Sequence, residues 1–219
     1  MVHAFQERKK RAQRVARILS ELFPRAKIAL KYSTPWELLV AVILSAQCTD
    51  KKVNEITQKL FLKYPTFKSY LQADPLEFEK DIHSCGFFRN KTKNILAAAR
   101  MVNEKFGGKV PASMQELLEI PGVARKTANV VLGNAHGIID GIAVDTHVMR
   151  LSRKLGLTDS KNPVRIEQDL MKLFPKKEWF ILTYRLIEYG RQICPARKHK
   201  NCESHPLTKI YPKAGELWP

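Results

Sequence analysis

The chain has 219 residues, 44% of them hydrophobic, and carries 38 Lys and Arg against 21 Asp and Glu, a formal net charge of +17. That length and apolar content sustain a packed core and exclude a disordered chain, and no apolar run approaches the ~18–20 residues that cross a bilayer. The positive excess favours a polyanion partner over a membrane surface, because no basic amphipathic helix is paired with an aromatic apolar face.

The predicted elements are helical almost throughout. Val15, Ile18, Leu19 and Leu22 follow the i, i+3, i+4, i+7 pattern of one helix face. Thr34-Pro35-Trp36-Glu37 then announces a helix, with Thr34 as N-cap, Pro35 in the first turn and Glu37 closing a capping box. This helix runs through Leu39, Val40, Ile43 and Leu44 and is apolar enough to be central. Thr49 or Asp50 caps a third helix carrying Val53, Ile56, Leu60 and Phe61, and Asp74-Pro75 starts a short fourth. A helix is predicted from Asn90 to Phe106, stopped by Gly107-Gly108. Ser113 and Glu116 make a second capping box, whose short helix ends at Pro121-Gly122. Another begins at once and reaches about Gly133, followed by helices near 147–155, 163–174 and 179–190. No hairpin or alternating strand is found, so the fold class is all-α. The basic segment from Met1 to Arg14 leads into no apolar stretch or cleavage site, so a cytoplasmic location is expected. Among the four cysteines, Cys48 and Cys85 lie in apolar helical contexts and read as core, and disulfides are not expected.

The stretch from Leu117 to Ala128 concentrates the chemistry. A helix ends, Pro121-Gly122 turns the chain, and a new helix starts whose first N–H groups have no intrahelical partner. With the positive end of the dipole they suit a phosphate, a grip on a nucleic-acid backbone that ignores base sequence. Lys126 stands in the first turn, where the dipole disfavours its charged form, as a nucleophilic amine requires. Asp145 follows the apolar run Ile142-Ala143-Val144, at the edge of a core, where a carboxylate can stabilise developing positive charge. By spacing alone, Lys126 reads first as a solvated surface lysine and Asp145 first as a helix N-cap.

Three motifs weigh against that plain reading: Leu44-Ser45-Ala46-Gln47-Cys48-Thr49-Asp50, the run from Ile120 to Leu132, and Ala143-Val144-Asp145-Thr146-His147. In this order and spacing they resemble the endonuclease III family of the helix–hairpin–helix DNA glycosylases, over nearly the whole chain. The resemblance implies two helical domains with the active site in the cleft between them. One is a six-helix barrel with the helix–hairpin–helix, residues 28–139; the other is a terminal domain from 1–27 and 140–219. It implies that Lys126 is the nucleophile and Asp145 the catalytic aspartate. Gln47 fills the gap left by an extruded nucleotide, Phe87 or Phe88 inserts as an apolar wedge, and Gly122, Val123, Ala124 and Arg125 form the phosphate-binding hairpin. The implied activity is that of a bifunctional DNA glycosylase/lyase of base excision repair, a nucleoid-associated monomer acting on double-stranded DNA with oxidised pyrimidines or abasic sites.

The chain departs from that family at its end. The family's tail is Cys-x6-Cys-x2-Cys-x5-Cys, which holds a [4Fe–4S] cluster. Here Cys194 and Cys202 remain, one residue further apart, with His205 and Tyr211 at the other two positions. Such a cluster takes four thiolates, so no cofactor is expected. A zinc site from Cys194, Cys202, His205 and His199 is the lesser alternative. Pro195, Pro206, Leu207, Ile210, Tyr211, Pro212, Leu217 and Trp218 are expected to hold the tail by packing, leaving Arg197, Lys198 and Lys200 as a basic loop. Ala124 stands where the hairpin often has a second glycine. An abasic-site lyase with little base excision, a monofunctional glycosylase and a non-catalytic DNA-binding module are the competing readings, and Lys126 with Asp145 argues against the last two.

Overall fold

A computed structural model of the chain describes residues 2–197 and 202–216. Thirteen α-helices are present among them, and no strand. The chain divides into two compact units, Ala29–Asp140 and the pair of segments Met1–Ile28 and Gly141–Pro219.

The continuous unit is built around α2 (Pro35–Leu44), eight of whose ten residues are buried. Thr34 caps it by accepting from the Glu37 N–H. The Glu37 carboxylate takes the Ser33 N–H at 2.6 Å, one residue before the cap, so the box closes one step early. Against α2 lie α3 (Asp50–Lys63), α6 (Phe88–Phe106) and α8 (Arg125–Val131). Between α3 and α6 come α4 (Phe67–Leu71), which the apolar periodicity does not reveal, and α5 (Pro75–Ile82). Thr49, Thr66, Asp74 and Ser113 cap their helices through side-chain oxygens. The helix α6 begins at Phe88, two residues ahead of the expected Asn90, because Phe87 in the left-handed region turns the chain into it. The short α7 (Met114–Glu119) leads to α8, which ends in a π-helical turn, Leu132–His136, rather than stopping near Gly133.

In the other unit α1 (Val2–Leu22) starts well before the predicted apolar stripe, and Ala12, Val15 and Leu19 are fully buried along it. It lies against α10 (Pro163–Leu173), α11 (Lys176–Gln192) and α12 (Pro206–Ile210). The helix α9 (Thr146–Lys154) packs on α10 and α11, and α13 (Lys213–Glu216) on α12. Burying Leu151, Leu155, Leu170, Leu182, Leu186 and Leu207 in this core contributes on the order of 1.5–3 kcal/mol for each side chain.

Candidate active site

The hairpin forms because its turn demands glycine. Gly122 has φ +82°, and a Cβ there would stand 3.0 Å from the Asn94 Cβ. Two separate reasons therefore keep a side chain out: left-handed backbone and close approach to α6. The Val123 N–H closes the turn onto the Ile120 carbonyl at 3.0 Å. Ala124 is the N-cap of α8 with φ −96° and ψ 170°, ordinary extended backbone, so a second glycine is not needed there. Its methyl group offers no acceptor to the first turn of α8, unlike the capping hydroxyls elsewhere in the chain. Gly122 and Ala124 are exposed, Val123 is buried, and Arg125 is partly exposed.

Lys126 is the second residue of α8 and is partly buried, with Thr127 to Val131 buried behind it. Asp145, partly buried, follows Ile142, Ala143 and Val144, all in the core. Thr183 in α11 pins that run by donating to the Ala143 carbonyl at 2.9 Å. The Asp145 Oδ1 caps α9 by accepting the Val148 N–H at 2.8 Å. The N-cap role expected from its spacing is therefore real, and it occupies one carboxylate oxygen.

Gln47 and Phe87 share an unusual property. Among the described residues they are the two non-glycine positions with positive φ, at 53° and 47°. Both side chains are exposed, and Phe87 is 66% so despite being a phenylalanine. Phe88 differs: it is half-buried, with its ring centroid 4.5 Å from that of His83.

Lys91 lies in the helix predicted from Asn90 to Phe106, where a lysine is ordinarily exposed. It is instead 4% exposed, and its ammonium donates to the Leu44 carbonyl, the Cys85 carbonyl and the Cys85 sulfur. The signal was present in the period: Lys91, Ile95, Ala98 and Val102 form one buried stripe along α6.

In the tail, the ligand atoms of Cys194, Cys202 and His205 lie within 4.8 Å of one another. Both cysteines are buried. The Lys154 ammonium, 4% exposed, approaches the Cys202 sulfur at 3.1 Å, and Arg150 donates to the Cys194 carbonyl at 2.6 Å. Tyr211 stands with its ring 3.8 Å beneath the Arg11 guanidinium. Leu207 is fully buried, and its N–H donates to the buried Tyr189 hydroxyl at 3.3 Å. Arg197 is exposed, while Lys198, His199, Lys200, Leu217 and Trp218 lie outside the described residues. No helix among the described residues is long and apolar enough to cross a membrane.

Residues 40–176 match the model of the HhH-GPD superfamily of base excision DNA repair proteins. The chain is 52% identical over 207 residues to endonuclease III of Synechocystis sp., covering 94% of each chain. A non-covalent endonuclease III–DNA complex superimposes with a TM-score of 0.90 at 42% identity, covering 95% of this chain and 97% of the other. A trapped endonuclease III–DNA covalent intermediate superimposes with a TM-score of 0.89 at 41% identity, over the same shares of the two chains. By family match, identity and superposition over nearly its whole length, the chain belongs to the endonuclease III family of the HhH-GPD superfamily.

Proposed function

We propose that the chain is a bifunctional DNA glycosylase/lyase of base excision repair, with Lys126 as nucleophile and Asp145 as its carboxylate partner. The observation that carries this reading is Lys126 itself, an amine on the second residue of a helix that opens from an uncapped hairpin. A glycosylase that uses water as nucleophile has no need of an amine there. The substrate is double-stranded DNA, and the damaged bases are oxidised pyrimidines.

The enzyme extrudes the damaged nucleotide, at a cost of a few kcal/mol that damage reduces. Gln47 and Phe87 occupy the space it leaves, and the exposed backbone around Gly122 grips a phosphate. Neutral Lys126 attacks C1′ as the glycosidic bond breaks and the base departs with a proton. Asp145 stabilises the positive charge developing on the sugar. The amine loses its proton, the sugar ring opens, and a Schiff base joins Nζ to C1′. Removal of a C2′ proton then expels the 3′ phosphate by β-elimination, which cuts the strand.

This chemistry runs without a four-iron cluster in the tail. Three observations support that reading: two cysteines rather than four remain in the tail, an ammonium stands 3.1 Å from the sulfur of one of them, and the Tyr211 ring is engaged by Arg11. A cluster of this type takes sulfur from each corner, and a phenol held under a guanidinium does not supply it.

Borohydride should trap the chain covalently on duplex DNA with an abasic site, and Lys126→Gln should abolish the adduct. An undiminished adduct in the Gln variant would remove Lys126 from its role. Duplexes carrying thymine glycol, uracil or mismatches, assayed in parallel, distinguish base excision from abasic-site cleavage alone.

A further inference from the structure

Lys91 is a cation without solvent. It is 4% exposed and sits in the first turn of α6. An ammonium has three N–H donors, and each finds an acceptor: the Leu44 carbonyl at 2.9 Å, the Cys85 carbonyl at 3.0 Å and the Cys85 sulfur at 3.0 Å. Burying such a charge is costly unless its hydrogen bonds are complete. Here they are complete, and the acceptors are informative.

Leu44 is the last residue of α2, three positions before Gln47. Cys85 ends a single 3-10 turn, two positions before Phe87. The ammonium thus ties the root of one exposed loop to the root of the other. It also stands at the negative end of the α2 dipole, where cations are favoured. The Cys48 thiol, one residue beyond Gln47, is partly buried and free. Burial, with Cys85 adding to it, pushes the Cys48 thiol up. Among the described residues, the two non-glycine positions with positive φ thus lie just beyond the clamped roots, Gln47 three residues after Leu44 and Phe87 two after Cys85. Such backbone persists only where its surroundings over-determine it.

We infer that Lys91 is a positioning residue that locks the Gln47 and Phe87 loops into one rigid probe for opening the duplex. It touches neither substrate nor the reacting atoms. This rests on the proposed roles of Gln47 and Phe87, and it assigns the buried lysine the task of fixing their spacing before DNA arrives. The cost of filling the duplex gap is then met by geometry already present in the free protein.

The test compares two substrates under single-turnover borohydride trapping. An abasic nucleotide in an intact duplex must be extruded; the same nucleotide in a single strand need not be. Lys91→Met should be slower by about 100-fold on the duplex yet stay within about threefold of the parent on the single strand. Lys91→Gln, which keeps two N–H donors, should fall between parent and Met on the duplex. Equal losses on both substrates, or no loss on either, would overturn the inference. Should Lys91→Met fail to fold, as judged by circular dichroism, Lys91→Gln carries the same comparison. Failure of both to fold assigns the lysine to the core alone and also overturns it. A parent that traps on neither substrate refutes the lysine chemistry rather than the clamp. The clamp is then read by 2-aminopurine placed opposite the abasic site, whose fluorescence change on binding should be reduced in Lys91→Gln; an unchanged signal counts against it.

Discussion

Asp145 caps a helix and, in the proposed mechanism, carries a second task with the same carboxylate, and the two are separable by substitution. Its Oδ1 caps α9 at 2.8 Å from the Val148 nitrogen, while its charge is what the proposed chemistry uses. Asparagine caps as well as aspartate but carries no charge. Asp145→Asn should therefore keep the thermal midpoint of the parent and lose about 100-fold or more in single-turnover strand cleavage. Asp145→Ala should lose the same activity and in addition about 1 kcal/mol of stability. Thermal denaturation beside single-turnover nicking checks both, and an Asn variant that cleaves at the parental rate would leave Asp145 as a cap and nothing more. Phe87 and Phe88 form a similar contrast at neighbouring positions. The former projects from a left-handed residue into solvent and the latter packs on His83, so of the two we propose Phe87 as the apolar wedge.

At the scale of elements, the tail is held by packing and hydrogen bonds, as the proposed cluster-free reading requires. Leu207 and Ala214 are fully buried, Tyr189 holds the Leu207 N–H, and Arg11 of α1 covers Tyr211 while donating to the Gly156 carbonyl at 2.8 Å. The protein purified without chelators should be colourless and hold substoichiometric iron by elemental analysis. Stoichiometric iron with a visible charge-transfer band would overturn the cluster-free reading. Much of this architecture was legible beforehand, because its signals are local. Thr34, Thr49, Asp74 and Ser113 accept from their own helices, and Gly122 takes the positive φ that its turn implied. What escaped depends on partners far along the chain. Lys91 is buried because a carbonyl 47 residues away receives it, and the local period, which marks its face of α6, does not announce that partner. The five-residue α4 was missed because one turn is too short to display a period, and its Thr66 cap is a commonplace residue in a loop.

For the whole molecule, the charge of +17 sets how binding responds to its medium. Lysines and arginines that contact phosphates displace condensed counterions, and the affinity then falls linearly on a double-logarithmic salt plot. Titrating a labelled abasic duplex between 50 and 200 mM salt should weaken binding by about 1000-fold if roughly six phosphates are neutralised. A flat response would place the basic excess away from the DNA. Cleavage measured at saturating enzyme should be far less sensitive, since the proposed chemical steps form no new phosphate contact.

The chain order of the two units has a consequence for synthesis. Residues 29–140 are contiguous and are complete as soon as they emerge from the ribosome, whereas α1 belongs with helices that begin after Gly141. At about 5–20 residues per second, α1 waits on the order of ten seconds or more before its apolar face is covered. Its many charged residues keep that face narrow during the wait, with Ala12, Val15 and Leu19 as the side chains finally buried without residual exposure. The unit carrying Lys126 is thus finished first, and the one carrying Asp145 last, so a nascent chain interrupted between them holds the proposed nucleophile without its proposed partner.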